Sequence, residues 1–473
     1  MIPLLMLATA GAATPLGYDD ALKRALVRNV DLLVVEQDLL SAEGALLAAR
    51  GIFDPTLTGS ETFSAQRNED VQQFGEIFSD VRFNRWSAGL GWFAPTGTTA
   101  NLEYSNTWSQ VQFDLRDFGA GVQEQDPFFR TRLGLNLTQN LLQGHRLAYN
   151  LSGVRVAKQT VSAAEAEVLR QRQETLAQVA QAYWAVYYQQ RLVEIAQQAM
   201  HVSAEEQRVV RLKVEQGTLA PVEETRANTA VVQANKAMID ARQALQLAED
   251  TLSLALGERP GTTYELTTAP AKPVRVDIDD VQVVEAALLN NPGLVALRIQ
   301  ETNATTELNN ARHQRLPELN ANGSVALNGT ETQQSAAVQE MFSGELPEWS
   351  IGATLSVPLG NRADRGNIQS RAATAEQARL RRVALERTIA QQVRSQVATI
   401  EASHAQVELA ESNLLLAEQT LDAERALLEA GRTLQKDVLE AIRAVDTARA
   451  DLQKAGADYQ LAIIELERLK GSL

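Results

Sequence analysis

Apolar residues follow two different spacings along the chain. In six short segments every second residue is apolar, and this period of two predicts β-strands with one apolar and one polar face. Elsewhere the apolar residues fall at helical spacing over stretches without proline, which predicts very long helices. The alternating segments are residues 56–65, 86–92, 100–108, 132–141, 317–328 and 349–359.

The two longest predicted helices are residues 147–216 and 368–430, both free of proline. At about 1.5 Å per residue they would be roughly 100 Å and 95 Å long. From Val438 to Leu466 apolar residues follow a heptad-like spacing with alanines between them, so neighbouring helices can approach closely on more than one side. This pattern favours a wall of many helices, and a soluble antiparallel coiled coil is the alternative.

A glycine ends each long helix. Gly217 follows the first and Gly431 follows the second, and another helical segment begins a few residues later in both cases. Glycine readily adopts the left-handed conformation that closes a helix. Each long helix and its successor are therefore predicted to form an antiparallel hairpin with the glycine turn at its tip.

The chain contains an internal repeat. Residues 25–57 match residues 287–319 at an offset of 262, whereas the two glycine turns match at an offset of 214. The first copy therefore carries about 48 extra residues between positions 57 and 211. The predicted organisation is a first repeat at 14–257, a linker at 258–277 that lies outside any core, and a second repeat at 278–473.

The strands of the two copies differ in number. The second copy has one β-hairpin at 317–359, and the first has an extra hairpin at about 84–113 around a turn at residues 95–98. Three of the five tryptophans lie in the extra hairpin, and tryptophan near strand ends is typical of the aromatic girdle of a membrane barrel. The extra hairpin would give six strands per chain instead of four, or would lie outside the sheet.

An amphipathic strand set fits two architectures. A soluble sandwich buries the apolar face, whereas a transmembrane β-barrel turns it to lipid and keeps the polar face in water. Residues 1–13 match a signal peptide, with an apolar run followed by small residues, although no lysine or arginine precedes the run. A signal peptide indicates that the protein is exported from the cytoplasm, and this favours the transmembrane barrel over the soluble sandwich. The sequence contains no run of about 18 apolar residues, so it predicts no membrane-spanning helix.

Composition excludes several classes of function. The chain has no cysteine, which excludes disulfides, thiolate metal sites and a lipid anchor. Its net charge of −15 argues against nucleic acid as a partner and indicates an acidic surface or a lumen that prefers cations. We expect no enzyme, metal or cofactor, because no catalytic motif occurs and the four histidines are scattered. The pairs Asp19-Asp20 and Asp279-Asp280 are interpreted as helix caps.

In their order, these features resemble the TolC family of outer-membrane efflux proteins. The resemblance covers nearly the whole mature chain and rests on four features: the duplicated Ala-Leu-x-x-Asn-x-x-Leu segment, residues 137–144, the Leu256-Gly257 closure and the two tips. It implies an α+β membrane protein, in which a trimeric transmembrane β-barrel is continuous with a long periplasmic α-helical barrel. It places the protein in the outer membrane of a Gram-negative bacterium.

The resemblance also implies the function and the partners. The protein would be the exit duct for efflux or type I secretion. A homotrimer would contact outer-membrane lipid, a periplasmic adaptor protein and an inner-membrane transporter. A periplasmic adaptor and a soluble coiled-coil scaffold are the rival interpretations. The sequence does not distinguish drug, metal and polypeptide cargo.

The resemblance assigns roles to residues at the tips. The acids that ring the periplasmic constriction in the family match Asp437 and Glu440, three apart and so on one helix face, with an ordinary solvated helix start as the alternative. The family's tip tyrosine falls at Leu428 and its tip arginine is shifted to Arg432, so the restraints on the closed gate are expected to differ. The adaptor-docking tips match Arg211, Glu215, Gly217, Glu223, Arg425, Glu429, Gly431 and Arg432, with surface ion pairs as the alternative.

Overall fold

The computed structural model describes residues 14–72, 75–115, 121–270, 274 and 278–473. The chain forms two compact units. Among the described residues, those of 14–40, 163–298 and 380–473 form the helical unit, and those of 41–162 and 299–379 form the sheet unit. The expected signal peptide, residues 1–13, lies outside the described residues.

Long helices dominate the chain. Helix α4 has 64 residues and helix α9 has 68, so each is roughly 100 Å long at about 1.5 Å per residue. None of the helices in the described part of the chain combines the length and apolar character needed to cross a membrane. The helices are α1 Tyr18–Arg28, α2 Val30–Arg50, α3 Leu147–Asn150, α4 Ser152–Glu215, α5 Pro221–Ala255, α6 Asp280–Asn290, α7 Pro292–Gln314, α8 Gln334–Ser343, α9 Arg362–Glu429 and α10 Gln435–Lys470, with a 3₁₀ turn at Gly51–Phe53.

The asparagine of the repeated segment has the same role in both copies. Asn29 lies between α1 and α2, where its side-chain oxygen accepts the N–H of Leu32 at 3.1 Å and its amide donates to the carbonyl of Ala255 at 3.1 Å. Asn291 makes the matching bonds to Leu294 at 3.2 Å and to Leu469 at 3.5 Å. Each asparagine therefore caps one helix and hydrogen-bonds to the last turn of another. Both bonds need an amide, because one side chain must accept a backbone N–H and donate to a backbone carbonyl.

The two Asp-Asp pairs behave differently from each other. Asp279 caps α6, because its carboxylate accepts the N–H groups of Val281 at 2.9 Å and Gln282 at 3.3 Å. Helix α1 instead begins after Gly17 without a side-chain cap, and Asp19 and Asp20 lie in its first turn. The cap expected at Asp19-Asp20 is therefore wrong. Both acids still lie where the helix dipole favours negative charge.

The segment between the repeats contributes to a core, contrary to the sequence expectation. Its strand β7, Tyr264–Leu266, pairs in parallel with β1, Thr14–Leu16. Tyr264 is only 2% exposed and packs in a buried cluster with Leu16, Val186 and Leu252. The prolines of this segment prevent a helix, but they do not prevent a short extended stretch from burying an aromatic ring.

The sheet unit contains one antiparallel sheet of seven strands within the described residues. Six strands follow one another in the order β2-β3-β4-β6-β8-β9, and the short β5 pairs with β4 beside β6. The extra hairpin is therefore part of the sheet, as β3 and β4. The strands are β2 Thr56–Gln72, β3 Gly75–Phe93, β4 Thr98–Leu115, β5 Gly121–Glu124, β6 Phe128–Asn140, β8 Glu318–Glu331 and β9 Pro347–Ser356.

The two faces of the sheet differ in polarity along complete cross-strand rows. One row of directly paired residues is apolar on all six strands, and its members are between 40% and 81% exposed. The next row, on the opposite face, has small or polar side chains only. The apolar row is Leu57, Leu90, Leu102, Leu135, Val325 and Trp349, and the polar row is Thr56, Gly91, Asn101, Asn136, Ser324 and Ser350.

Candidate functional sites at the hairpin tips and on the sheet

The two tips have the same backbone hydrogen bonds. At the first tip Gly217 N–H donates to the carbonyl of Val214 at 2.9 Å and Thr218 N–H donates to that of Lys213 at 2.9 Å. At the second tip Gly431 and Arg432 donate to Leu428 and Leu427 at 3.0 Å and 2.9 Å. The two glycines have φ of +71° and +70°, a left-handed conformation that favours glycine. Both turns thus form from local sequence.

Ion pairs cover the side of the first tip. Arg211 Nε lies 3.1 Å from Glu215 Oε1 within the last turns of α4. Glu223, in the first turn of α5, pairs with Arg226 at 2.7 Å. Both pairs follow helical spacing, and all of their charged groups except the half-buried Glu223 are exposed, so they contribute little to stability. Their charged groups remain accessible to a partner.

The second tip presents its charges differently. Arg425, Glu429, Gly431 and Arg432 are all exposed. Arg425 lies close enough to the half-buried Glu206 of α4 to favour its charged form, as does Lys213. Burial outweighs both cations and raises the pKa of Glu206. The charge of Arg425 therefore opposes, but does not cancel, the effect of burial on the pKa of Glu206.

Asp437 is engaged in a cap at the start of α10. Its Oδ2 accepts the N–H of Leu434 at 3.1 Å and lies 2.9 Å from the hydroxyl of Thr433. The Leu434 N–H and then the Thr433 hydroxyl hold the pKa of Asp437 below its usual value. Glu440 lies one turn further along α10 and is exposed. The two acids of the expected gate therefore have different surroundings.

Sequence reasoning missed the partners of Asp437. The Thr433 hydroxyl also lies 2.9 Å from Glu424 Oε2 of α9, so one hydroxyl proton serves either of two carboxylates across the turn. The available signal was an acid three residues after the N-cap position Leu434, which is half of a capping box. No spacing rule predicts the contact to Glu424, because that contact depends on the geometry of the turn.

Two of the scattered histidines come together in the sheet unit. The rings of His145 and His313 have centroids 5.6 Å apart, and His313 also lies 4.7 Å from the ring of Tyr149. The buried Nε2 of His313 accepts the N–H of Gly144 at 3.0 Å. Burial, and then the nearby charges of Arg146 and His145, lower the pKa of His313. The hydrogen bond from Gly144 to His313 holds the turn that ends residues 137–144 against α7. No group of three or more potential metal ligands occurs in the described residues.

Duplicated helical hairpins and a sheet that exposes its apolar face define the class of outer-membrane channel proteins. A model of the outer membrane efflux protein family matches residues 97–258 and 283–472. The chain belongs to this family, and the predicted family is confirmed. It is an outer-membrane protein, and the family consists of efflux channels and not of enzymes.

A curated relative supports the assignment over part of the chain. Outer membrane protein TolC of Vibrio cholerae serotype O1 is 27% identical over 235 residues, which cover 48% of this chain and 53% of the relative. The chain thus spans about half the length of the curated relative that it matches.

Solved structures share the fold over almost the whole chain. The structure of CusC has a TM-score of 0.71 at 16% identity and covers 96% of this chain and 92% of that chain. The outer-membrane channel OprN has a TM-score of 0.71 at 16% identity and covers 96% and 90%. VceC from Vibrio cholerae has a TM-score of 0.68 at 16% identity and covers 96% of both chains. At these identities the likeness shows a common mixed α/β fold.

Proposed function

We propose that the chain is one protomer of a trimeric channel that forms the exit duct of an efflux or secretion system. One observation carries the proposal: the sheet has an exposed apolar face and two free edges. Within the described residues, β2 pairs only with β3 and β9 only with β8. A soluble protein rarely leaves both a broad apolar surface and unpaired strand edges in water.

Closing the sheet with other copies of the chain removes both problems. If β9 of one protomer pairs with β2 of the next, the six consecutive strands β2-β3-β4-β6-β8-β9 of three protomers form a barrel of 18 strands. The apolar row then faces lipid and the polar row faces a water-filled lumen, as in other outer-membrane barrels. This arrangement satisfies the edge N–H and C=O groups inside the bilayer.

The helical hairpins supply the remainder of the duct in this proposal. Helices of roughly 100 Å are long enough to extend far beyond a bilayer of about 30 Å. Three pairs of hairpins would form a periplasmic tube that narrows at the tips. The exposed charges at Arg211, Glu215, Arg425 and Glu429, with Glu223, Arg432 and the two tip glycines, would contact the adaptor protein. Glu440 and Asp437 would supply the acids of the constriction.

The assembly can be tested by cross-linking, because the chain has no cysteine of its own. Single cysteines are placed along β2 at positions 56–62 and combined with single cysteines along β9 at positions 350–356. The proteins are purified from outer membranes in detergent and oxidised. We expect at least one combination to yield disulfide-linked dimers and trimers on a denaturing gel. Each linked protein should conduct ions in a planar bilayer.

A matched control uses the same β2 positions with Asn136→Cys on the central strand β6. Residue 136 lies on the polar row but is paired on both sides within the chain, so it should give no links between protomers. A periplasmic adaptor or a scaffold would instead remain soluble and would form no conducting pore. If no β2–β9 combination cross-links and the protein is monomeric, the proposed channel is wrong.

A further inference from the structure

One face of α5 is uncovered, although the matching face of α10 is covered. At the repeat offset of 214, Val232 and Ile239 of α5 correspond to Asp446 and Gln453 of α10. Asp446 and Gln453 are half-buried, whereas Val232 and Ile239 are 67% and 66% exposed. The apolar residues are therefore the uncovered ones, which is the reverse of what a complete fold in water favours.

Helix α4 of the first repeat packs against this face of α10. Arg449 of α10 donates to Gln198 Oε1 of α4 at 3.4 Å, and Arg468 of α10 lies 3.6 Å from Glu174 of α4. Between these two contacts Leu461 of α10 packs against the buried cluster of the first repeat. Lower residue numbers of α4 thus face higher numbers of α10, so the two helices run antiparallel.

The contact between Arg449 and Gln198 fixes which residues of α10 and α4 lie at one level. One turn to either side of it, three or four residues along each helix, two further pairs are level in antiparallel helices. Both members of each pair are half-buried. The level pairs are Asp446 with Val202 and Gln453 with Ile195.

Helix α9 is uncovered at the positions that match this part of α4. At the offset of 214, Val202 and Ile195 become Leu416 and Leu409 of α9. The two leucines are 61% and 70% exposed, whereas their counterparts in α4 are half-buried where α10 packs. One chain therefore presents an α5 face and an α9 face that correspond to the two sides of its own α10–α4 contact.

We propose that α5 of one copy packs antiparallel against α9 of a second copy, with Val232 on Leu416 and Ile239 on Leu409. The contact inside the chain supplies the register, and this register sets an apolar residue opposite an apolar residue in both pairs. All four side chains are exposed in the single chain, so α5 and α9 do not cover them for each other. Their burial between two copies removes apolar surface from water, which favours association.

The contact is head-to-tail, because each copy presents both faces and they differ from each other. The inference rests on the proposed trimer, in which three such contacts alternate with the three α10–α4 contacts and close a ring of six hairpins. It adds the surface through which the helical part of one protomer binds the next. The free edges of the sheet do not specify that surface.

Cysteine pairs test the register, since the chain has no cysteine of its own. Matched double variants carry Val232→Cys with Leu416→Cys, or Ile239→Cys with Leu409→Cys. Swapped variants combine the same four positions the other way, which displaces the partners by seven residues, or about 10 Å along the helices. A disulfide needs Cα atoms within about 7 Å. After oxidation of the full-length protein in detergent, matched variants should yield at least about fivefold more linked dimers and trimers than swapped variants.

A charge on the proposed contact should weaken the assembly. Ile239→Asp places a carboxylate between the two helices, whereas Ala237→Asp changes an exposed residue on the opposite side of α5. Neither side chain is buried within the chain, so both proteins should fold. Light scattering in detergent measures the concentration at which half of the protein is assembled. It should rise about tenfold or more for Ile239→Asp and stay within about twofold for Ala237→Asp.

The β2–β9 cysteine pairs separate failure of this contact from failure of the channel. If β2–β9 pairs link while matched and swapped helix pairs link equally or not at all, the proposed channel stands and the α5–α9 contact is wrong. Equal weakening by the two aspartates would also overturn the contact. If neither the strand pairs nor the helix pairs link and the protein is monomeric, the channel and the contact are both wrong.

Discussion

At the scale of single residues, the hydrogen-bond donors around a carboxylate determine its structural role, and its position on a helix face does not. Asp437 and Glu440 lie on one face of α10, yet only Asp437 accepts hydrogen bonds from the turn that precedes the helix. An acid whose pKa is lowered in the folded state stabilises that state above its ordinary pKa. This contribution is lost as the pH falls through the lowered value. The second tip should therefore loosen only in acid below about pH 4.

Replacement of Asp437 should loosen the second tip. In Asp437→Ala the N–H of Leu434 loses its acceptor, so backbone amides of residues 431–437 should exchange with deuterium about fivefold faster at neutral pH. Hydrogen–deuterium exchange with mass spectrometry measures this effect directly. Glu440→Ala is the control, since Glu440 is exposed, and its exchange in the same segment should match the unsubstituted protein. Equal effects of the two substitutions would contradict the cap.

His313 should make the turn at Gly144 sensitive to acid. Because its Nε2 accepts the N–H of Gly144, the ring must be unprotonated there, and its lowered pKa agrees. A base with a lowered pKa stabilises the fold above its ordinary value of about 6.5, and this stability is lost as the pH falls below that value. Exchange in residues 140–150, corrected for the intrinsic pH effect, should accelerate between pH 7 and pH 5.

The variant His313→Ala should remove this pH dependence. It leaves the Gly144 N–H without its acceptor, which costs about 1–3 kcal/mol for a buried donor, so exchange should already be fast at pH 7. His201→Ala in α4 is the control, because His201 is exposed. A His313→Ala protein that keeps the acid response would show that another group causes it.

At the scale of helices and strands, the structure separates what local sequence determines from what packing determines. The two tips were predictable because a glycine with positive φ and its hydrogen bonds involve residues within one turn. The burial of Tyr264 could not be predicted from the sequence, since its neighbours Leu16 and Val186 are distant from it along the chain. Strand β2 extends to Gln72, beyond the alternating pattern that ends at residue 65, because pairing with β3 continues to Gly75. Cross-strand pairing, and not alternation, sets that end.

Helix α8 offers a test of close packing on the sheet. A Cβ atom on Gly329 of β8 would overlap the carbonyl of Ala337 and lie 2.7 Å from the backbone nitrogen of Met341, both in α8. Gly329→Ala should therefore displace α8 at a cost of about 1–3 kcal/mol, as for other overpacked sites. Limited proteolysis should then cut within residues 334–343 faster than in the unsubstituted protein.

Gly323 on the same strand is a close control. A Cβ atom there meets nothing within 4 Å, so Gly323→Ala should leave the proteolysis of α8 unchanged. If both alanines increased cleavage equally, loss of glycine from β8 would be the cause and α8 would not depend on the contact at Gly329.

At the scale of the whole molecule, a charge at one tip gains effect only when copies assemble. A single exposed Glu440 interacts weakly with ions in water. In the proposed trimer three copies would face one narrow constriction, and a ring of carboxylates there would bind cations and block their passage. Asp437 would add less to this ring, because its carboxylate already accepts hydrogen bonds within its own chain.

Glu440→Gln should therefore relieve the block of the closed channel by a divalent cation. With Mg²⁺ added in a planar bilayer, the concentration for half-block should rise about tenfold, since three charges are removed from the constriction. The effect should shrink at high salt, where the screening length falls below about 8 Å. Glu429→Gln is the matched control, because this exposed acid ends α9 outside the start of α10. If both variants keep the original half-block concentration, the gate acids lie elsewhere; if Glu429→Gln alone relieves the block, the constriction is formed by the turn and not by α10.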